Sequence, residues 1–390
     1  MFGRGILAAV LAVALVMAPA VPATAGAAAA EECQPEKGTM KLPAGEPWAQ
    51  KRLDVKSAWR LTRGAGARVA VVDSGVDFRH PQLRWISKII DVTRTGYRDR
   101  DCVGHGTAVT GIIAAKPIEG VPFYGVAPDA TMIMIKQSNS TQGDPKDLVA
   151  AINEAVKNKA DVINVSIKAS DTPQLKAAVM NALAQDIVIV AAAGNVKNQK
   201  EEVEPAYPAS YEGVLAVGSA TQDGRHAETS NAATPVGVIA PGVGLLVPWT
   251  GRSYKLSEEG SSFACAYVTG VAALVRSRYP RLDQDQVRRR IIATADGAAG
   301  KGTGAGMVNP ALAVSAVLPF EPAGMPVVAP PPPLPISADA IAKAPKPDTV
   351  TANIAMVVTG AALVIVLLAG AFVLVVPLGK RRGWKPGRPA

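Results

Sequence analysis

Between Ile354 and Val376 the chain runs for 23 residues without a charged side chain, and Val, Leu, Ile and Ala make up most of them. At about 1.5 Å per residue such a helix is roughly 34 Å long, enough to cross the hydrocarbon core of a bilayer. A buried core helix is rarely uncharged for so long, and this run is followed at once by Lys380-Arg381-Arg382, with Lys385 and Arg388 behind. By the positive-inside rule that cluster predicts a cytoplasmic tail over residues 377–390, a spanning helix over 354–376, and everything before it outside the membrane. At the other end, Arg4, the apolar run Ile6 to Met17 and small residues up to Ala27 predict a secretory signal peptide over residues 1–27. An uncleaved anchor is the alternative, but the run is short for a span and is broken by Pro19 and Pro22.

The formal net charge is +9, of which Arg4 and the five basic residues of the tail supply six, leaving +3 for the exported part. So nearly neutral a body offers no electrostatic case for a nucleic-acid partner. Residues 320–353, with Pro330-Pro331-Pro332-Pro333, read as a semi-rigid extended linker. The remainder divides into an N-terminal extension, 28–46, and one large body, 47–319. Of the three cysteines, Cys33 lies in the polar extension and Cys102 just before His105. A bridge between them is expected, because disulfides persist in an exported protein and a free exposed thiol in the extension has little structural use. Cys265, in the apolar run Phe263 to Val275, is expected to behave as a small buried residue.

Within the body, β-branched apolar runs occur at 69–72, 131–135, 162–167, 187–191 and 214–217. Helical patterns lie between several of them. One opens at Asp144-Pro145, a cap followed by proline at the first helical position, with Leu148, Ile152 and Val156 on one face; another covers 173–183. Alternating strands and helices predict an α/β fold with a mostly parallel central sheet covered on both faces, and ligands then bind beyond the carboxyl ends of the strands.

Three segments carry candidate chemistry. A strand stops at Asp73 and is followed by Ser74-Gly75; His105 stands between Gly104 and Gly106; Ser262 follows Gly260-Ser261 at the start of an apolar helical run. Each alone has a bland reading, as a turn acid, a loop histidine or a helix cap. His80 and His226, the other histidines, lie in ordinary polar surroundings. Together the three segments occur in the order Asp, His, Ser, which separates subtilisin from chymotrypsin and from the α/β-hydrolases.

These segments resemble the three signature motifs of the subtilisin-like serine proteases, and Ala191-Ala192-Ala193-Gly194-Asn195 is similar to the segment that carries the family's oxyanion-hole asparagine. The likeness runs through the body, including Tyr207-Pro208-Ala209 and 304–309. More narrowly the chain resembles the mycosins, subtilisin-like proteases of actinobacterial type VII secretion systems, in its anchor, its cysteine-bearing extension, Pro47-Trp48-Ala49-Gln50 and the segment 101–107. The resemblance implies a three-layer subtilisin-like fold, an extension that wraps the catalytic domain, and a serine endopeptidase acting on protein or peptide substrates, with a type VII secretion membrane complex as partner. Ser262 would be the nucleophile, His105 its base, Asp73 the group that orients the imidazole, and Asn195 with the Ser262 N–H the oxyanion hole. Ser166, Ile167, Lys168, Ala193 and Gly194 would border the substrate. No cofactor or metal is called for, and no clustered carboxylates suggest calcium.

The pattern departs from the family in three places. Ser261 replaces the usual threonine and Ala266 the usual proline, both mild changes that keep a hydroxyl and a helix former. Lys168 replaces a glycine along the cleft, which points either to selective cleavage beside a small or acidic side chain or to a lysine that simply faces solvent. Two rival functions are a mainly structural subunit of a secretion complex, which mycosin membership makes credible, and an esterase, which the residue order and the lack of Gly-x-Ser-x-Gly disfavour.

Overall fold

The computed structural model describes residues 33–35, 37–39, 45–86, 88–140, 143–196, 203–297, 300–321, 349–385 and 387. The expected signal peptide and most of the expected linker lie outside the described residues. The chain divides into two compact units, Met1–Pro331 and Pro332–Ala390.

Among the described residues of the first unit, the first elements are two short helices, α1 (Trp48–Leu53) and α2 (Val55–Trp59). Seven strands follow: β1 (Arg68–Asp73), β2 (Lys88–Asp91), β3 (Thr131–Lys136), β4 (Val162–Val165), β5 (Val188–Ala192), β6 (Leu215–Ala220) and β7 (Val238–Pro241). They pair in the order β2-β3-β1-β4-β5-β6-β7, every pair parallel. A separate antiparallel hairpin joins β8 (Leu245–Trp249) and β9 (Ser253–Glu258). Five of the seven sheet strands coincide with the apolar runs. The two edge strands, β2 and β7, do not stand out in sequence, because β2 places two apolar residues between Lys88 and Asp91 and β7 places three before Pro241.

Successive side chains of a strand point to opposite faces. Val69 and Val71 of β1 therefore join one apolar cluster, while Ala70 and Val72 join the other; in β5, Val188 and Val190 part in the same way from Ile189 and Ala191. The first face is covered by α3 (His105–Ala114) and by α6 (Ser261–Arg278), which is buried almost all round. The second is covered by α4 (Pro145–Lys157) and α5 (Pro173–Ala184). Asp144 caps α4 by accepting from the Lys146 N–H at 2.8 Å, and Leu148, Ala151, Ile152 and Ala155 form its buried face. Two further helices, α7 (Gln284–Ala293) and α8 (Pro310–Ser315), complete the unit. This is the three-layer α/β arrangement expected, and its seven-stranded sheet is wholly parallel.

The second unit contains α9 (Thr349–Arg381), which extends beyond the apolar run at both ends and includes Pro377. Asn353–Arg381 is long and apolar enough to cross a membrane, with mean hydropathy 2.9 and 0% of its most apolar window buried. A helix that apolar with outward side chains suits lipid, where the backbone bonds to itself and the side chains need no protein core.

Candidate active site

In a parallel sheet all strands end at one edge, so residues that follow β1, β4 and β5 gather there whatever their separation in sequence. Asp73 is the last residue of β1, Ser166 follows β4, and Gly194 and Asn195 follow β5. The helices α3 and α6 begin at the same edge and bring His105 and Ser262 to it.

The His105 Nδ1 lies 2.8 and 3.0 Å from the two carboxylate oxygens of Asp73, and its Nε2 lies 2.8 Å from the Ser262 Oγ. An ionised carboxylate can only accept, so Nδ1 carries the proton and Nε2 is left to accept from the serine hydroxyl. Burial pushes the imidazole pKa down, but the Asp73 charge and hydrogen bond outweigh it and hold His105 above its ordinary value. The Phe263 ring packs 5.2 Å from the imidazole. Gly106 is required by close approach, since a Cβ there would stand 2.1 Å from the Gly75 carbonyl oxygen and 3.1 Å from Asp73 Oδ1.

Asn195 is exposed, and its Oδ1 accepts from the Ser261 N–H at 2.8 Å, which turns its amide nitrogen toward the nucleophile. Gly260 precedes Ser261 at φ 148°; a Cβ there would lie 3.2 Å from both Asn195 Nδ2 and Ser262 Oγ, so the absence of a side chain keeps the space between them open. Ser262 is the second residue of α6, and the first turn of a helix leaves its N–H groups without intrahelical partners. The Ser261 hydroxyl accepts from the Gly194 N–H at 3.0 Å, so the serine supplies the hydroxyl that a threonine would.

Ser166 donates its hydroxyl to the Ser262 carbonyl at 3.1 Å and accepts from the Asn164 Nδ2 at 2.8 Å. Asn164 is fully buried beneath α6, where its Oδ1 accepts from Thr269 at 2.9 Å and from the Cys265 thiol at 3.3 Å. Cys265 is the small buried residue expected, its pKa pushed up to about 12 by burial.

The cleft encloses about 1150 Å³, and Ser166, Ile167, Lys168, Gly194 and Asn195 border it together with the triad residues. Ala193 does not. It is fully buried, its N–H donating to Val217 and its carbonyl accepting from Thr234, so it supports Gly194 from behind. Lys168 is exposed on the cleft wall. His80 also departs from expectation: it is fully buried with its ring edge-on to Tyr254, and burial lowers its pKa to about 4. Its polar neighbours in sequence concealed a buried site. Among the described residues no group of three or more His, Cys, Asp or Glu is placed to hold a metal ion.

Two of the buried charged residues stand behind the triad without a sequence motif that marks them. Asp101, 1% exposed, accepts from the N–H groups of Val103, Gly104 and Thr107 and from the hydroxyls of Ser74 and Thr107, so it ties the start of α3 to the Asp73 loop. Lys136, fully buried at the end of β3, donates to the carbonyls of Ser74 and Arg100, each at 2.8 Å. Burial lowers the Lys136 pKa against the opposing pull of Asp101, Asp91 and Asp73. A charge directly after an apolar strand was the available signal in Lys136, as it was in Asp73.

Cys33 and Cys102 form a disulfide across 69 residues. Among the described residues that follow, the Gly38 N–H donates to Ser253 Oγ of β9 at 2.8 Å, and the Trp48 indole N–H donates to the Gly244 carbonyl, just before β8, at 3.2 Å. Cys33 is thus buried as one half of the expected bridge.

A wholly parallel α/β sheet whose carboxyl edge gathers an acid, an imidazole and a helix-borne serine, in that chain order, marks the subtilisin class of serine endopeptidase. Residues 64–310 match the subtilase family, peptidase S8, and the chain belongs to that family. It is 37% identical to subtilisin DY of Bacillus licheniformis over 236 residues, covering 60% of this chain and 85% of that one. It is 38% identical to mycosin-4 of Mycobacterium tuberculosis strain H37Rv over 287 residues, covering 62% of each. Among solved structures, the MycP3 protease from the type VII (ESX-3) secretion system superposes with a TM-score of 0.61 at 33% identity, covering 71% of this chain and 91% of that one. These likenesses support the mycosin subgroup.

Proposed function

We propose that the chain is a membrane-anchored, extracytoplasmic serine endopeptidase that uses Asp73, His105, Ser262 and Asn195 for selective processing linked to type VII secretion. The observation that carries this reading is the unbroken relay from Asp73 through His105 to Ser262, with both links at 2.8 Å. A serine hydroxyl is a weak nucleophile at neutral pH. His105 Nε2 takes the hydroxyl proton as Ser262 Oγ attacks a peptide carbonyl, and later returns a proton to the leaving amine. Asp73 holds the imidazole in the required tautomer and stabilises the imidazolium. The Asn195 amide and the Ser262 N–H receive the oxyanion, which is why the open space beside Gly260 matters. Water then attacks the acyl-enzyme by the same proton route.

In this reading residues 1–27 are a signal peptide, 28–46 the extension, 47–319 the catalytic domain, 320–353 a linker, 354–376 the membrane span and 377–390 a cytoplasmic tail. The basic residues after the span support that orientation. The description of MycP3 as part of a type VII system supports a membrane secretion complex as partner.

The test is labelling of the full-length chain in detergent micelles with a fluorophosphonate probe, beside Ser262→Ala. Wild type is expected to label and the variant not. A folded wild type that fails to label would move the function to a structural subunit.

A further inference from the structure

Gly194 directly precedes Asn195 and borders the same cleft as Ser262, and Lys168 faces it, so on the catalytic reading the side chain of the residue whose carbonyl is attacked enters between Gly194 and Lys168. A methyl group built on Gly194 would stand 3.6 Å from Lys168 Cδ and 3.2 Å from Ala206 Cβ. Carbon atoms in contact sit about 3.5–4.0 Å apart, so the gap between Gly194 and the lysine stem holds roughly one carbon group. A ring stacked between two walls needs about twice one contact distance, near 7 Å.

The backbone around this gap is tied down. Ala169, next to Lys168, exchanges hydrogen bonds with Tyr207 at 2.8 and 3.3 Å. Thr234 Oγ1 accepts from the Ala206 N–H and donates to the Ala193 carbonyl, each at 2.9 Å, and the Asn231 N–H donates to the Gly194 carbonyl at 3.0 Å. Only the lysine side chain is left to move. Its stem lies against the wall while the residue stays exposed, the usual way a lysine covers apolar surface and keeps its ammonium in water.

We propose that Lys168 determines specificity: its aliphatic stem limits the residue whose carbonyl is attacked to a small side chain, through bulk rather than charge. This rests on the catalytic reading above. A larger side chain must first displace the stem from Gly194, and discrimination by pocket size is worth about 10–200-fold in kcat/KM.

The test uses the full-length chain in detergent with peptides that differ only at that residue, carrying Ala, Asp or Phe, on wild type, Lys168→Gly and Lys168→Met. Fluorophosphonate labelling is run on each as a separate readout. Wild type is expected to favour Ala over Phe by about tenfold or more, Lys168→Gly to raise cleavage at Phe relative to Ala about tenfold while still labelling at Ser262, and Lys168→Met to keep the wild-type ratio. Equal cleavage of Ala and Phe by a labelled wild type would overturn this proposal and leave the catalytic reading standing. So would an unchanged ratio in Lys168→Gly. Strong preference for Asp that vanishes in Lys168→Met would replace bulk by charge. Failure of folded wild type to label would remove the catalytic reading, and this proposal with it.

Discussion

Asp73 and Lys136 are the last paired residues of β1 and β3, so a carboxylate and an ammonium leave the parallel sheet side by side. Both point to the face covered by α3 and α6, since Val69 and Val71 precede the acid at even spacing, and Met132 and Met134 the lysine. The acid continues to His105. The lysine turns to the carbonyls of Ser74 and Arg100 and fixes the two loops that flank the acid.

Lys136→Met should therefore destabilise the fold by about 2–4 kcal/mol, because two buried carbonyls lose their donor and Asp101 loses a nearby opposite charge. Urea denaturation measures the loss. A change under about 0.5 kcal/mol would mean that the neighbouring loops rearrange at little cost.

The pH dependence of labelling at Ser262 follows from His105. The base must be neutral to accept a proton, and its pKa is raised by Asp73, so labelling should fall with decreasing pH through a midpoint above the ordinary histidine value of about 6.5. In Asp73→Asn the opposing charge is gone while burial still disfavours the imidazolium, so the midpoint should move down. Loss of tautomer control should also slow labelling by up to about 10⁴-fold. A midpoint unmoved by the substitution would show that Asp73 does not set it.

On the proposed mechanism Asn195→Ala removes a donor aimed at the oxyanion while Ser262 and His105 themselves are kept. Peptide hydrolysis should drop about 10²–10³-fold in kcat, with KM little changed. Steady-state kinetics on a cleavable peptide separates the two constants, and an effect confined to KM would make Asn195 a ground-state contact.

The Cys33–Cys102 bridge closes a long loop and joins the extension to the segment that leads into His105. Replacing both cysteines by serine should cost about 2–4 kcal/mol of stability. Thermal unfolding of the double variant, and of wild type with and without reductant, checks this; identical melting of all three would show that the extension's noncovalent contacts suffice.

Much of this molecule is legible residue by residue. The strands β1, β3, β4, β5 and β6 announce themselves by β-branched runs, α4 by its Asp144-Pro145 start, and Asp73, His105 and Ser262 by their order and their glycines. The hidden parts are those whose signal is short or whose partner is distant. Two or three apolar residues bounded by a charge or a proline do not make a pattern, so the edge strands β2 and β7 are silent. His80 and Ala193 show why burial is hard to read, since each is buried by segments far away in the chain.

By itself the sequence determined the candidate catalytic residues, the class of fold and a helix fit to span a membrane, because these depend on local periodicity and on chemistry that few residues can perform. Only the tertiary structure decided that Asp101 and Lys136 stand behind the triad, that Asn195 is turned by the Ser261 N–H, and that the Lys168 stem faces Gly194 across one carbon's width. Those relationships arise where separate loops meet at one edge of a parallel sheet. Spacing along the chain carries no measure of such distances.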